Sequence, residues 1–210
     1  MLHLIALATM AIDHIGIVFF GDYAIFRIIG RIAFPLYCWF LVQGYLLTKN
    51  VKRYLLRLLG LACLSQIPYM LALQQWELNV IFTLIISLIC LYVLDLRIES
   101  IYKTLLIIGA ALFLMGVPID YGLYGLMLVL GFRYLKGFQI IIGHTIINVS
   151  FLFEYGLGSS IQLYSILGTL LIYISQSFKG MNMNRVLRWI YRGFYPAHLA
   201  LIYILQAWMD

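Results

Sequence analysis

The chain has 210 residues, 64% hydrophobic and 10% charged, with a mean hydropathy of +1.00. Water-soluble domains carry about 25% charged residues, so this composition excludes an ordinary soluble domain and describes a polytopic membrane protein. The net charge of +6 is spread over short segments, which leaves no basic patch large enough for nucleic acid.

A membrane-crossing helix needs about 20 residues. Charges and helix breakers divide the chain into candidate spans near 2–20, 28–47, 55–74, 79–94, 101–117, 121–134, 138–153, 160–177 and 190–208. The expectation is an all-α integral membrane bundle of about nine transmembrane helices, a single domain over residues 1–210. No small-residue cleavage site follows the first apolar run, which therefore reads as a span and not as a signal peptide.

That first span carries Asp13 and His14 side by side in Ile12-Asp13-His14-Ile15-Gly16. An Asp near the centre of a membrane helix costs about 2.5–3.5 kcal/mol on insertion scales, so something must offset it. The nearest cations are Arg27 and Arg31, in Arg27-Ile-Ile-Gly-Arg31-Ile-Ala-Phe-Pro35. Two readings stay open: a structural ion pair tying the first two spans, or a ligand site. Adjacent helical residues point about 100° apart, so one division has Asp13 turned to an arginine and His14 lining a cavity. A histidine can exchange a proton near neutral pH, or it can simply hydrogen-bond a neighbouring helix. Pro35, inside the second span, should kink it.

The connections set the orientation. Lys49, Lys52, Arg53 and Arg57 follow span two; Arg97 and Lys103 follow span four. Arg133 and Lys136 follow span six, and Lys179, Arg185, Arg188 and Arg192 follow span eight. The alternate connections carry Asp22, Glu77, Asp120 and Glu154. By the positive-inside rule the basic side is cytoplasmic, which puts the N-terminus inside and the C-terminus outside. Only Arg27 and Arg31 break the pattern, as residues held by pairing or by a ligand would. Arg53 and Arg57, one helical turn apart, can grip a phosphate or anchor to lipid headgroups. Arg188 belongs to a second basic face.

Cys38, Cys63 and Cys90 lie singly in apolar runs and read as small buried hydrophobes. His144 reads as polar packing, and His3 lies near the cytoplasmic end. Asp13, His14, His144 and His198 show no ligand-like spacing, so no metal site is expected. Asp120 precedes a short helix and reads as its N-cap. No internal repeat supports an inverted-repeat transporter, although a small channel or transporter gated by an Asp–Arg pair, or a structural membrane subunit, remains an alternative.

Several stretches in order along the chain together resemble the TraX family, membrane proteins associated with N-acetylation of conjugative pilin. They are Ile12–Gly16, Arg27–Pro35, Thr48–Arg57 with Ser65-Gln-Ile-Pro68, Asn79–Thr83, Asp120-Tyr-Gly122 and Phe194-Tyr-Pro-Ala-His198. The resemblance implies an acyltransferase of the bacterial cytoplasmic (inner) membrane that takes acetyl from cytoplasmic acetyl-CoA and delivers it to an amine, such as a peptide or pilin N-terminus, or to a hydroxyl. On that reading His14 is the catalytic base, helped by Asp13. Arg31, or a backbone amide near Gly30, stabilises the oxyanion. Arg53, Arg57, Arg27 and Arg188 are candidates for the CoA phosphates. The partners implied are acetyl-CoA, a membrane-proximal acceptor and the lipid bilayer, with a homo-oligomer left open.

Overall fold

The computed structural model describes residues 1–176 and 185–209, with backbone alone for Leu157, residues 185–190 and Arg192. Among these residues the fold is all-helical. The helices are α1 (Leu2–Phe19), α2 (Ala24–Gly30), α3 (Ala33–Leu47), α4 (Val51–Leu73), α5 (Val80–Asp95), α6 (Ser100–Gly116), α7 (Gly122–Tyr134), α8 (Gln139–Tyr155), a 3-10 helix (Leu157–Ser165), α9 (Ile166–Ser175) and α10 (Arg185–Met209). Every expected span coincides with helix, and the ends shift by a few residues.

The second span departs from expectation. Pro35 does not kink a continuous helix; the chain breaks at Arg31-Ile32, between α2 and α3, and Pro35 falls in the first turn of α3. A proline lacks the N–H that would bond the carbonyl four residues back, which is Arg31, and its ring crowds that carbonyl. In a first turn the missing donor has no helical partner anyway. The break thus follows from Pro35, one turn upstream of the proline itself. The eighth span also differs, because its first half is a nine-residue 3-10 helix and α9 has only ten residues. Runs of 3-10 helix beyond three or four residues are uncommon, and this one supplies Gln162 to the site described below.

Four stretches among the described residues are long and apolar enough to cross a membrane: Leu2–Phe19, Ala24–Leu47, Val51–Leu73 and Gly158–Ser175. Apolar side chains also cover the outside. In α6 only Leu114 is buried, while Ile101, Leu105, Leu112 and Phe113 are exposed, as expected of a helix facing lipid. This is a membrane protein.

α3 runs through the middle, packed on α1, α5, α7 and α9, while α10 lies against α4 and α1. Leu36, Cys38, Val42, Leu88, Leu128 and Ile172 form the core between these helices. Cys38 and Cys90 are buried as small hydrophobes, but Cys63 is exposed on α4, contrary to expectation. At one end Asp95 accepts a hydrogen bond from the Tyr45 hydroxyl at 2.7 Å and pairs with Arg133 at 3.4 Å. At the opposite end the α4–α5 and α6–α7 connections run side by side through the Leu78–Ile119 bridge, bringing Glu77 and Asp120 to one face. Tyr45 and Arg133, beside the 48–50 and 135–138 connections, thus mark a basic end with Asp95, and Glu154 joins Glu77 and Asp120 around one cavity at the acidic end.

Candidate functional site

Asp13 and His14 diverge from α1 as the helical angle requires. The Asp13 carboxylate pairs with Arg27 at 3.0 Å and with Arg31 at 3.7 Å. Gly30 makes this approach possible, because a Cβ there would collide with the Asp13 side chain. Arg31 Nη1 also donates to the Tyr121 hydroxyl at 3.2 Å and to Gln162 Oε1 at 3.0 Å. Tyr121 is held at φ 63°, a left-handed conformation costly for a bulky residue, which persists only where surroundings impose it. Its ring stacks on Phe34 at 3.7 Å, and the Asp120 carbonyl accepts from Thr83 Oγ1 at 2.7 Å. The strained turn is clamped from both sides.

His14 makes a different connection. His14 Nδ1 lies 2.7 Å from His198 Nε2, and His198 Nδ1 lies 2.7 Å from the Phe194 carbonyl oxygen. A carbonyl can only accept, so His198 Nδ1 carries the proton and, in a neutral ring, Nε2 carries a lone pair. His14 Nδ1 must then donate to it, which leaves the lone pair of His14 on Nε2. No hydrogen-bond partner among the described residues occupies that nitrogen. Sequence reasoning weighed His198 only as a metal-ligand candidate without ligand-like spacing and missed this pair. The signal was present in Phe194-Tyr-Pro-Ala-His198, where a proline marks unusual helix geometry beside an ionisable group.

The His14 ring lines a chamber of about 140 Å³, together with Asp13, Arg31, Tyr69 and Asp120. Towards the acidic end the chamber meets a cavity of about 700 Å³; Arg27, Arg31, Glu77, Asp120 and Tyr121 line both. Towards the basic end it meets a cavity of about 590 Å³; Met10, Phe34, Tyr37, Val80 and Tyr195 line both. Arg57 lines this second cavity with Gly44, and its guanidinium lies 5.8 Å from the Tyr54 ring. The chamber that His14 lines thus shares walls with both larger cavities, which share no lining residue with each other.

Other expected residues fall elsewhere. Arg53 is exposed on α4 and lines none of these spaces; its backbone N–H is taken by the Asn50 cap at 2.9 Å. Arg27 sits with Asp13, at the far end from Arg57. The Arg188 side chain lies outside the described residues. His144 joins a separate buried network, bonded to Tyr124 at 2.7 Å and Thr169 at 2.6 Å beside Asn148 and Ser165. Among the described residues no three His, Cys, Asp or Glu side chains converge as metal ligands.

Asp120 is not an N-cap. The cap position of α7 is Tyr121 and no side chain bonds there; Asp120 instead lines both the chamber and the outer cavity. Burial, with Glu77 beside it, pushes Asp120 up to about 7 against the pull of Arg31 and Arg27. An unfolded Asp releases its proton near 3.8, so between those values the folded protein holds a proton that the unfolded chain has lost. The stability this group contributes is full below about 4 and is lost as pH rises through about 7. Thermal unfolding in detergent is expected to show a melting temperature that falls between pH 5 and 8, and Asp120→Asn should flatten that fall.

Residues 1–206 match the family described as TraX protein. The chain belongs to the TraX family. It is also similar to the probable fimbrial assembly protein FimC, serogroup H1, of Dichelobacter nodosus, at 28% identity over 233 aligned positions covering 96% of this chain and 92% of that protein. No solved structure matches it. In this TraX-family fold Asp13, His14, Arg31, Asp120 and Tyr195, from four of the stretches that carry the resemblance, line one chamber.

Proposed function

We infer that this TraX-family protein is an integral-membrane acetyltransferase that moves acetyl from cytoplasmic acetyl-CoA to an amine presented at the opposite face. About nine spans, with the N-terminus inside and the C-terminus outside, suit the distribution of Lys and Arg. A bacterial inner membrane is the setting in which one face meets acetyl-CoA. The observation that carries the reading is the His14 chamber, which shares walls with the Arg57-lined cavity on one side and with the Glu77- and Asp120-lined cavity on the other.

Each part suits its task. Arg57 stands where an anionic nucleotide would approach, and the apolar walls beyond it suit a slim thioester-bearing arm. The outer cavity, with Glu77 and Asp120 at its inner edge, suits a cationic amine. The ammonium first gives one proton to water or to the Asp120 carboxylate in the outer cavity; in the chamber the neutral amine nitrogen then attacks the thioester carbonyl carbon while His14 Nε2 takes a second proton. The C–S bond then breaks, and His14 returns the proton to the departing thiolate. Arg31 and Arg27 keep Asp13 paired and hold the outer wall. The relative described as a fimbrial assembly protein favours a peptide amine on a fibre subunit over a hydroxyl.

Purified protein given labelled acetyl-CoA and a short peptide with a free N-terminus should transfer the label. Arg57→Ala should raise the KM for acetyl-CoA about tenfold, as loss of a charge-assisted contact worth about 1.4 kcal/mol would, with kcat retained. An unchanged KM would take Arg57 out of donor binding, and absence of transfer by the unmodified protein would end the reading.

A further inference from the structure

The basic-side cavity and the His14 chamber share Met10, Phe34, Tyr37, Val80 and Tyr195 as wall residues. Of these, only the two tyrosines carry a proton to donate. Both hydroxyls are buried, and neither has a hydrogen-bond partner among the described residues. Tyr195 is 7% exposed, and its ring centroid lies 6.2 Å from that of His14. A buried hydroxyl without a partner costs free energy of the order of 1–3 kcal/mol, so two on one shared wall call for a reason. Tyr69, on the same chamber, is satisfied by Gln75 at 3.0 Å and Glu77 at 2.8 Å, which makes the contrast local.

We propose that the Tyr37 and Tyr195 hydroxyls form the oxyanion hole, donating two hydrogen bonds to the thioester carbonyl oxygen where the donor arm enters the chamber. The assignment rests on the acetyltransferase reading above and adds the two residues that polarise the reacting carbonyl. As the amine lone pair forms the new C–N bond, the C=O π pair moves onto oxygen, and the two O–H groups receive that charge. When the pair returns, the C–S bond breaks and the sulfur leaves as thiolate. Arg31 keeps one unpartnered N–H, at Nε, but it lies on the wall shared with the outer cavity and not with the donor's, while Nη1 donates to Tyr121 and Gln162 and Nη2 faces Asp13. Donors fixed before the reaction, in a space closed to bulk water, act most strongly on charge that develops only in the transition state.

Tyr37→Phe and Tyr195→Phe each remove one oxygen and leave the packing ring. With labelled acetyl-CoA and the peptide amine, each is expected to lower kcat about 10²–10³-fold. The KM for acetyl-CoA should stay within about threefold, since the lost interaction belongs to the transition state, and the melting temperature should not fall. Full kcat in both single variants and the double variant, beside an active unmodified protein, overturns the oxyanion hole and leaves the acetyltransferase reading standing. A rise in KM at constant kcat overturns it too, by making the tyrosines ground-state contacts. If the unmodified protein transfers nothing, both fail together.

Discussion

His14→Gln is expected to lower acetyl transfer about 10²–10⁴-fold, the range that a positioned proton acceptor contributes. Glutamine is close in size and its amide can still donate to His198 Nε2, so the helix contact survives while the accepting lone pair of Nε2 is lost. A purely structural histidine would tolerate that exchange with activity intact. His198→Leu tests the relay from the other side. It removes the acceptor that fixes the His14 tautomer, so kcat should fall by less than in His14→Gln. Paired measurements of kcat and melting temperature on the two variants separate proton transfer from packing.

Asp13→Ala is expected to lower stability by about 3–5 kcal/mol, the effect of removing one partner of a buried ion pair and stranding the other. Here Arg31 is the stranded group, with its side chain 13% exposed, whereas Arg27 at 34% can reach water. Asp13→Leu combined with Arg31→Met should recover most of that loss, because the uncompensated charge disappears with its partner. Urea or thermal unfolding in detergent reads the difference. Equal loss in the single and double variants would show that the pairing carries no stability.

The helical architecture was legible because a membrane protein writes its fold in long apolar runs separated by charge. Asp13, Arg27 and Arg31 were legible for the same reason, since an ion at membrane depth needs a partner and few were at hand. The helix break at Arg31-Ile32 was misread as a kink at Pro35, because sequence gives the proline but not which turn of which helix receives it. The His14–His198 pair was hidden for a different reason. It joins residues 184 positions apart in sequence, and the packing of α10 against α1 is not written in either segment alone. Tyr37 and Tyr195 were indistinguishable from the many interfacial tyrosines, since only three-dimensional packing shows which hydroxyls go without a partner. Asp120 looked like a cap because caps and buried carboxylates both favour helix starts; the left-handed Tyr121 that takes the cap position could not be foreseen.

The account turns on a donor and an acceptor reaching His14 from opposite faces. The direct measurement uses vesicles containing the protein in one known orientation, with labelled acetyl-CoA confined to one side and a peptide amine to the other. The account predicts acetylated peptide only when acetyl-CoA is on the Lys/Arg-rich face and the amine on the Glu77–Asp120 face. Equal labelling in both arrangements, or labelling only with donor and amine on the same face, would contradict it.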